Sequence, residues 1–355
     1  MKTGKAKGRG AGFNTPNRFE TVHREPLELE SDDDEGHPSP TRFFEDSSKS
    51  ILARNDSPDI PFVYSLNPYR GCEHGCIYCY ARPSHEYLGF SAGLDFETKI
   101  MVKTNAAKLL RGTFRRKSWI PQMVALSGNT DCYQPIERTL RLTRQCLEVF
   151  RDFRNPAGII TKNALILRDL DILEEMARLG IVHVMISITS LDPDLVRVME
   201  PRTSTPVMRL QAIEELAKRG IPVGVNAAPI IPGLTDEEIP AILREAASRG
   251  AVSAGYILLR LPGAVEPLFL DWLSRTFPDR AGKIMNRIRD TRSGEMSDSR
   301  FGSRLSGEGE ISATINNLFR VHCERYGLGK RFENFKLDGF RRDGGRQGEL
   351  WSSPP

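Results

Sequence analysis

The sequence predicts an α/β protein, a partial (β/α)6 barrel of TIM-like type. Three features point there. β-prone and helix-prone stretches alternate six times between residues 62 and 276, three of the helices end in the same punctuation, and small polar clusters follow each strand. Six units are fewer than the eight of a full barrel, so an open or partial barrel is expected. A doubly wound parallel sheet is the architectural alternative, because strand order is not written in the sequence.

The elements follow in order. Strands are expected near 62–66, 122–127, 157–161, 182–188, 221–227 and 252–259, and helices near 104–112, 136–153, 169–179, 206–219, 235–249 and 265–276. In the stretch 136–153, Ile136, Leu140, Leu147 and Phe150 recur at helical spacing, as expected of a helix laid on a sheet. The repeated punctuation is Ala177-Arg-Leu-Gly180, Ala217-Lys-Arg-Gly220 and Ala247-Ser-Arg-Gly250. A cation suits the negative end of the helix dipole, and glycine supplies the left-handed cap before the next apolar strand. Asp192-Pro193 and Thr205-Pro206 read as helix starts, and Thr235 with Glu238 reads as a capping box.

Three regions follow from composition. Residues 1–50 form an arm rich in Gly, Pro and charge, basic at Lys2 to Arg9 and acidic from Glu28 to Glu35, and are expected to be mostly disordered. Residues 51–278 form the core domain. Residues 279–355 are a C-terminal extension, irregular and polar to 309, helical from Ile311 to Tyr326 and basic beyond Lys330.

The 355 residues suffice for a sizeable core, and the formal net charge of +4 is too small by itself to imply nucleic acid. No apolar run approaches the roughly 18 residues that cross a bilayer, and the basic start has no signal-peptide core, so no membrane partner is expected. Six cysteines in a chain of this length do not resemble a disulfide framework. A cytoplasmic, reducing setting is the expectation.

Chemistry concentrates directly after the first strand. Cys72, Cys76 and Cys79 stand at C-x3-C-x2-C spacing, with Tyr78 before the third. Three thiolates so close can grip a metal, yet they are one ligand short for tetrahedral zinc or a four-iron cluster. Two readings stay open at this point: a [4Fe-4S] cluster whose fourth iron takes a small molecule, or a structural zinc completed by His74 or His85 in a non-catalytic binding module for nucleic acid or protein. The other strand ends, where loops of a parallel fold converge, carry Ser127-Gly128-Asn129-Thr130-Asp131, Lys162-Asn163, Ser187 with Thr189, Asn226 with Pro229, and Arg260.

The cysteine spacing resembles the cluster loop of the radical S-adenosylmethionine (radical SAM) superfamily. More narrowly, the stretches 65–72 (SLNPYRGC), 79–83 (CYARP), 94–100 (LDFETKI), 130–137 (TDCYQPIE) and 228–235 (APIIPGLT) resemble the bacterial family described as spore photoproduct lyase-like, or "DNA repair photolyase", over residues 50–265. The resemblance implies a barrel of the radical SAM type. It implies a [4Fe-4S] cluster on Cys72, Cys76 and Cys79, and SAM chelated at the fourth iron.

Roles carry over by position. Ser127, Gly128, Asn129 and Thr130 replace the Gly-Gly-Glu form that often receives the SAM ammonium. Lys162 matches the family's cation for the carboxylate, and Ser187 the ribose contact. Tyr78, Glu200 and Arg202 are further cofactor candidates, with Asn226 and Pro229 against the adenosyl group. Substrate-side candidates are Arg82, Tyr133, Gln134 and Glu137, and Cys132 is the candidate for returning a hydrogen atom, as a cysteine does in the photoproduct lyase. The implied activity is reductive cleavage of SAM and hydrogen abstraction from a substrate, with a nucleic-acid lesion as candidate and a flavodoxin or ferredoxin as electron donor.

Overall fold

The computed structural model describes residues 8–19, 40–329, 332 and 334–344. Two strands precede the barrel, β1 (Arg42–Glu45) and β2 (Leu52–Arg54). The chain continues through β3 (Tyr64–Leu66), β4 (Tyr69–Arg70), α1 (Leu94–Thr98), β5 (Lys99–Val102), α2 (Ala106–Arg115), β6 (Val124–Leu126), α3 (Glu137–Leu140) and α4 (Leu142–Phe153). Next come β7 (Ala157–Thr161), α5 (Leu170–Arg178), β8 (Val182–Ser187), α6 (Pro193–Met199), α7 (Pro206–Lys218), β9 (Val223–Ile230) and α8 (Ile239–Ser248). The series closes with β10 (Ser253–Leu258), α9 (Val265–Thr276), α10 (Ala281–Asp290) and α11 (Gly309–Arg325).

The main sheet has the order β10-β9-β8-β7-β6-β3-β2. Its six parallel strands are therefore arranged as they occur in the chain, with no reversal, which selects the barrel type over the doubly wound alternative. The sheet is open, and β2 caps one edge antiparallel to β3. A second, three-stranded sheet, β1-β5-β4, lies beside it and feeds straight into the cysteine loop.

Apolar periodicity explains the packing. Ala106, Leu110 and Phe114 of α2 and Leu147, Phe150 and Phe153 of α4 face inward onto a core shared with Ile159, Val184, Ile186 and Val225 from the strands. Each buried Leu, Ile, Val or Phe among them contributes about 1.5–3 kcal/mol. Gly180, Gly220 and Gly250 all adopt positive φ (69°, 69° and 92°), as the helix-end punctuation requires. Asp192 and Thr205 cap α6 and α7 through side-chain acceptors to Asp194 N–H and Met208 N–H.

Several local expectations are corrected. The helix expected over 136–153 breaks at Arg141 (φ 54°), because the Glu137 carboxylate reaches forward to accept the Thr143 N–H and caps a new helix there. Thr235 makes no capping box: its hydroxyl accepts the Ile231 N–H, and Glu238 turns instead to Ser190 and the Leu191 N–H. The polar stretch after 278 contains α10, whose Ala281, Ile284 and Ile288 form a narrow buried stripe among charged neighbours.

The described parts of both terminal regions, 9–18 and 328–344, are more embedded than their composition implies. Residues 9–18 pack on the core domain, while the basic start to residue 7 and the acidic run from 28 to 35 lie outside the described residues. At the far end, Leu328 O accepts from Ala254 N–H, Lys336 N–H donates to Gly180 O, and Phe332 and Phe335 stack on His183 at 4.3 and 4.8 Å. These contacts close the N-terminal end of the strands, opposite the cysteine loop. Among the described residues no helix is long and apolar enough to cross a membrane.

Candidate functional site

β4 delivers the chain into Gly71 (φ 79°) and the loop Cys72–Cys79, whose backbone is tied down from several directions. Cys72 N–H donates to Phe96 O (2.9 Å), Ile77 N–H to Met199 O (3.1 Å), and Arg202 N–H to His74 O (3.3 Å). Gln134 reads the loop twice, accepting Glu73 N–H at 2.9 Å and donating to Gly71 O at 3.2 Å. All six cysteines are free thiols.

Arg82 is the centre of the loop's support. Fully buried, it donates to the carbonyls of Gly75, Cys76, Ala92 and Gly93 and pairs with Glu97 at 2.5 Å. Glu97 in turn accepts the Gly10 N–H (3.0 Å) and the Ala11 N–H (2.8 Å). The N-terminal segment thus lies across the back of the cysteine loop as a strap. Gly10 is required there, since a Cβ would sit 1.8 Å from Gly75 O. Further along, Asn14 pairs with Asp95, Asn17 donates to Glu86 O and Phe90 O, and Arg18 pairs with Glu86.

The strand ends surround the front of the loop. After β6, Ser127 holds a positive φ of 69° and accepts the Cys132 N–H, while the Asn67 side chain accepts the N–H groups of Asn129 and Thr130. After β7, the Lys162 amine donates to Ala228 O (3.0 Å), lies 4.0 Å from Glu200, and stands over the Tyr78 ring at 5.8 Å. Ser187 and Asn226 are register partners on β8 and β9. Asn226 and Pro229, the latter behind a cis bond, remain partly open. Tyr78, Lys162 and Ala228 thereby bring three elements together beside the cysteines.

A family model described as the radical SAM superfamily matches residues 66–246, which contains this loop and four of the strand ends after it. The chain belongs to the radical SAM superfamily. An uncharacterised protein of Mycobacterium tuberculosis is 40% identical over 251 residues, covering 70% of this chain and 73% of that protein. Another from Methanocaldococcus jannaschii is 30% identical over 175 residues, covering 49% and 63%. Among solved structures, spore photoproduct lyase complexed with dinucleoside spore photoproduct superposes with a TM-score of 0.58 at 16% identity over 81% of this chain and 80% of that one. A mutant of the same lyase with bound AdoMet and dinucleoside spore photoproduct gives 0.56 at 17%, over 83% and 82%. At that identity the likeness concerns the fold.

Radical SAM enzymes use a [4Fe-4S] cluster and SAM, and these are the cofactors of this enzyme. Among the described residues no three Cys, His, Asp or Glu side chains are already gathered as a ready-made metal site. The donor chemistry nevertheless fits. Three thiols share one loop, and the N–H groups of His74 and Ala81 point at the Cys72 and Cys79 sulfurs and favour their thiolates. Burial first, then Asp131 and the two sister thiols, pushes the Cys72 thiol well up; burial and then Glu200 do the same for Cys76. Burial also raises Cys79, opposed by Arg82. Thiols held protonated in the metal-free chain release their protons as metal binds. His74 uses both ring nitrogens, one toward Asp131 (3.5 Å) and one toward Asn163 (3.1 Å), so it is not a spare fourth ligand.

The remaining expected site residues fall into two groups. Glu200 and Arg202 do not pair with each other. Glu200 is buried and receives Tyr78, Thr189 and Arg209, whereas Arg202 is exposed and pairs with Glu73 at 3.2 Å. Burial alone would raise the Glu200 pKa. Arg209, Lys162 and the two hydroxyls outweigh it and hold the group at about 2. Arg82, Tyr133, Gln134 and Glu137 were expected to face the opening, and this is corrected: all four are fully buried. Tyr133 donates to Asp169, and Glu137 receives Tyr69 and Arg168, because buried polar groups must be paired. Cys132 is likewise buried in the main core.

Three site residues escaped sequence reasoning as supports. Asn67, just before the loop, orders the Ser127–Thr130 turn. Asp131 gathers the Thr161 hydroxyl, the Lys162 N–H and His74. Arg209 sits on the buried face of α7 among Pro206, Leu210 and Ile213, and a charge on an apolar helical stripe was the available signal.

Proposed function

We propose that this enzyme binds its [4Fe-4S] cluster through Cys72, Cys76 and Cys79, cleaves SAM reductively, and abstracts hydrogen from a substrate. When bound, the cluster and SAM together supply a one-electron reduction and a 5′-deoxyadenosyl radical. The protein's own contribution is positional. The observation that carries this reading is the three-thiol loop, locked from behind by Arg82 and Glu97 and fronted by Lys162, Tyr78 and the strand ends.

In this reading Lys162 offers its cation to the SAM carboxylate, and Glu200 and Ala228 aim it. Ser127 to Thr130 present backbone and hydroxyl groups to the ammonium, Ser187 meets the ribose, and Asn226 with Pro229 flanks the adenosyl group. Tyr78 and Glu200 shape the floor, and Arg202 steadies Glu73 in the loop. Of the substrate-side candidates, Cys132, Tyr133 and Glu137 act from behind the wall as positioning residues. A lesion in nucleic acid is the leading substrate class, supported by the resemblance of residues 50–265 to the photoproduct lyase-like family. A flavodoxin- or ferredoxin-class protein supplies electrons in the cytoplasm.

Anaerobic reconstitution of the full chain tests this. About four irons per chain and release of 5′-deoxyadenosine from SAM on reduction are expected. One zinc per chain without SAM cleavage would replace the proposal by the zinc-module reading. Retention of labelled DNA at low salt tests the substrate class, and its absence there would remove nucleic acid.

A further inference from the structure

Arg260 follows β10 between Leu259 and Leu261, both buried in the apolar cluster that also holds Cys76, Ile77 and Tyr78. Its Nε is buried and has no hydrogen-bond partner. The carboxylates whose charge it feels, Asp59 and Asp298, are already engaged. Asp59 pairs with Arg304 at 2.6 Å and accepts the Gly302 N–H, while Asp298 pairs with Arg300 at 3.0 Å and accepts the Ser303 hydroxyl. The next cation, Arg292, is spent on the carbonyls of Leu258, Leu259, Ser303 and Arg304. Burial depresses the Arg260 pKa and Arg304 adds to it, while Asp59 and Asp298 oppose them only in part.

Arg260 stands past the C-terminal end of β10, the same end of the parallel sheet at which the cysteine loop follows β3. Tyr80 follows Cys79 in that loop. Tyr80 is 50% exposed, and its hydroxyl donates to Gly128 O at 2.9 Å. On the other side the C-terminal extension contributes Phe301, 61% exposed, with the Arg304 guanidinium 4.5 Å from its ring centre. A partly buried guanidinium whose Nε has no hydrogen-bond partner and which makes no ion pair among the described residues suits a ligand that carries an oxyanion. The planar fork binds phosphate or carboxylate in bidentate fashion.

We propose that Arg260 is an oxyanion-binding residue of the substrate site, recognising a phosphate or carboxylate on the molecule brought to the cluster loop. The inference rests on the radical SAM reading above for what the loop does, but the anion site can be tested apart from it. Lys162, near Tyr78 and Glu200, is left for the cofactor's own carboxylate.

The test uses the reconstituted full chain, with and without SAM, titrated with phenyl phosphate, benzoate and neutral benzyl alcohol. Phenyl phosphate or benzoate should bind the wild type, and Arg260→Gln should weaken that binding by about tenfold while leaving benzyl alcohol and SAM unaffected. Arg260→Lys should recover part of the loss, and matching thermal transitions of the variants show that folding is not the cause. Equal anion affinity in wild type and Arg260→Gln, or no anion binding by the wild type, overturns the assignment. Weakened SAM binding in Arg260→Gln overturns it too, by giving the oxyanion to the cofactor. SAM cleavage by the reduced wild type is scored separately: cleavage without anion binding removes this inference alone, and anion binding without cleavage removes the catalytic reading alone.

Discussion

The hydroxyl of Tyr78, one residue before Cys79, donates to the carboxylate of Glu200, 122 positions further along the chain. The same carboxylate takes the buried Arg209 from α7, the Thr189 hydroxyl after β8, and lies 4.0 Å from Lys162 after β7. One acidic group thus joins the cysteine loop to the ends of two strands and a helix. Its removal has consequences for stability and for the packing around the cysteine loop.

Glu200→Gln should lower the unfolding free energy by roughly 3–5 kcal/mol, because Arg209 would remain buried without a counter-charge. Urea denaturation of the metal-free chain measures it. Replacing both partners, Glu200→Gln with Arg209→Met, should lose less than the single change, and a double-mutant loss equal to or larger than the single one would refute the pairing.

Acid should destabilise the chain in two steps. His85 and His183 are held neutral by burial, each with its pKa lowered to about 4. The unfolded chain binds those protons first, so their contribution is complete above about pH 6.5 and falls as pH drops toward 4, by about 3 kcal/mol each. Glu200, held at about 2, contributes fully above the ordinary carboxylate range and loses its share as pH falls through that range toward 2. His183→Phe should flatten the upper step. An unchanged pH profile in that variant would locate the titration elsewhere.

Deleting residues 1–19, or introducing Gly10→Val, should loosen the cysteine loop. The deletion removes the two N–H donors to Glu97, and valine collides with Gly75 O. A stability loss of about 1–3 kcal/mol is expected, with faster release of iron to a chelator from the reconstituted protein. Iron release at the wild-type rate would show that the strap does not support the loop.

Cys132→Ser should keep its iron and fold. The Cys132 thiol lies in the main core, away from the loop thiols, and its backbone is anchored by Ser127 and Thr143. Cys79→Ser should lose most of the iron. Comparable iron loss in the two variants, read by metal analysis, would place Cys132 among the ligands.

Much of the scaffold is legible in the sequence. The three glycine stops, the proline-marked helix starts and the six apolar runs are local signals with local causes, and each fell within a few residues of an observed element. The rest depends on tertiary contacts. Arg82, Tyr133, Gln134 and Glu137 have the chemistry of reacting groups, and only their partners show them to be supports. The arm failed the test of composition because Arg9 to Arg18 is held by specific hydrogen bonds to Glu97, Asp95 and Glu86 rather than by its own apolar surface.

The sequence alone determined the βα rhythm, the three-thiol loop and its position after the first strand, because spacing, caps and donor chemistry act over a few neighbouring residues. Tertiary structure decided which polar side chains stand behind that loop and which in front of it. A buried charge is defined by the partner that compensates it, and Glu200's partners arrive from β7, β8 and α7 only once the sheet has assembled.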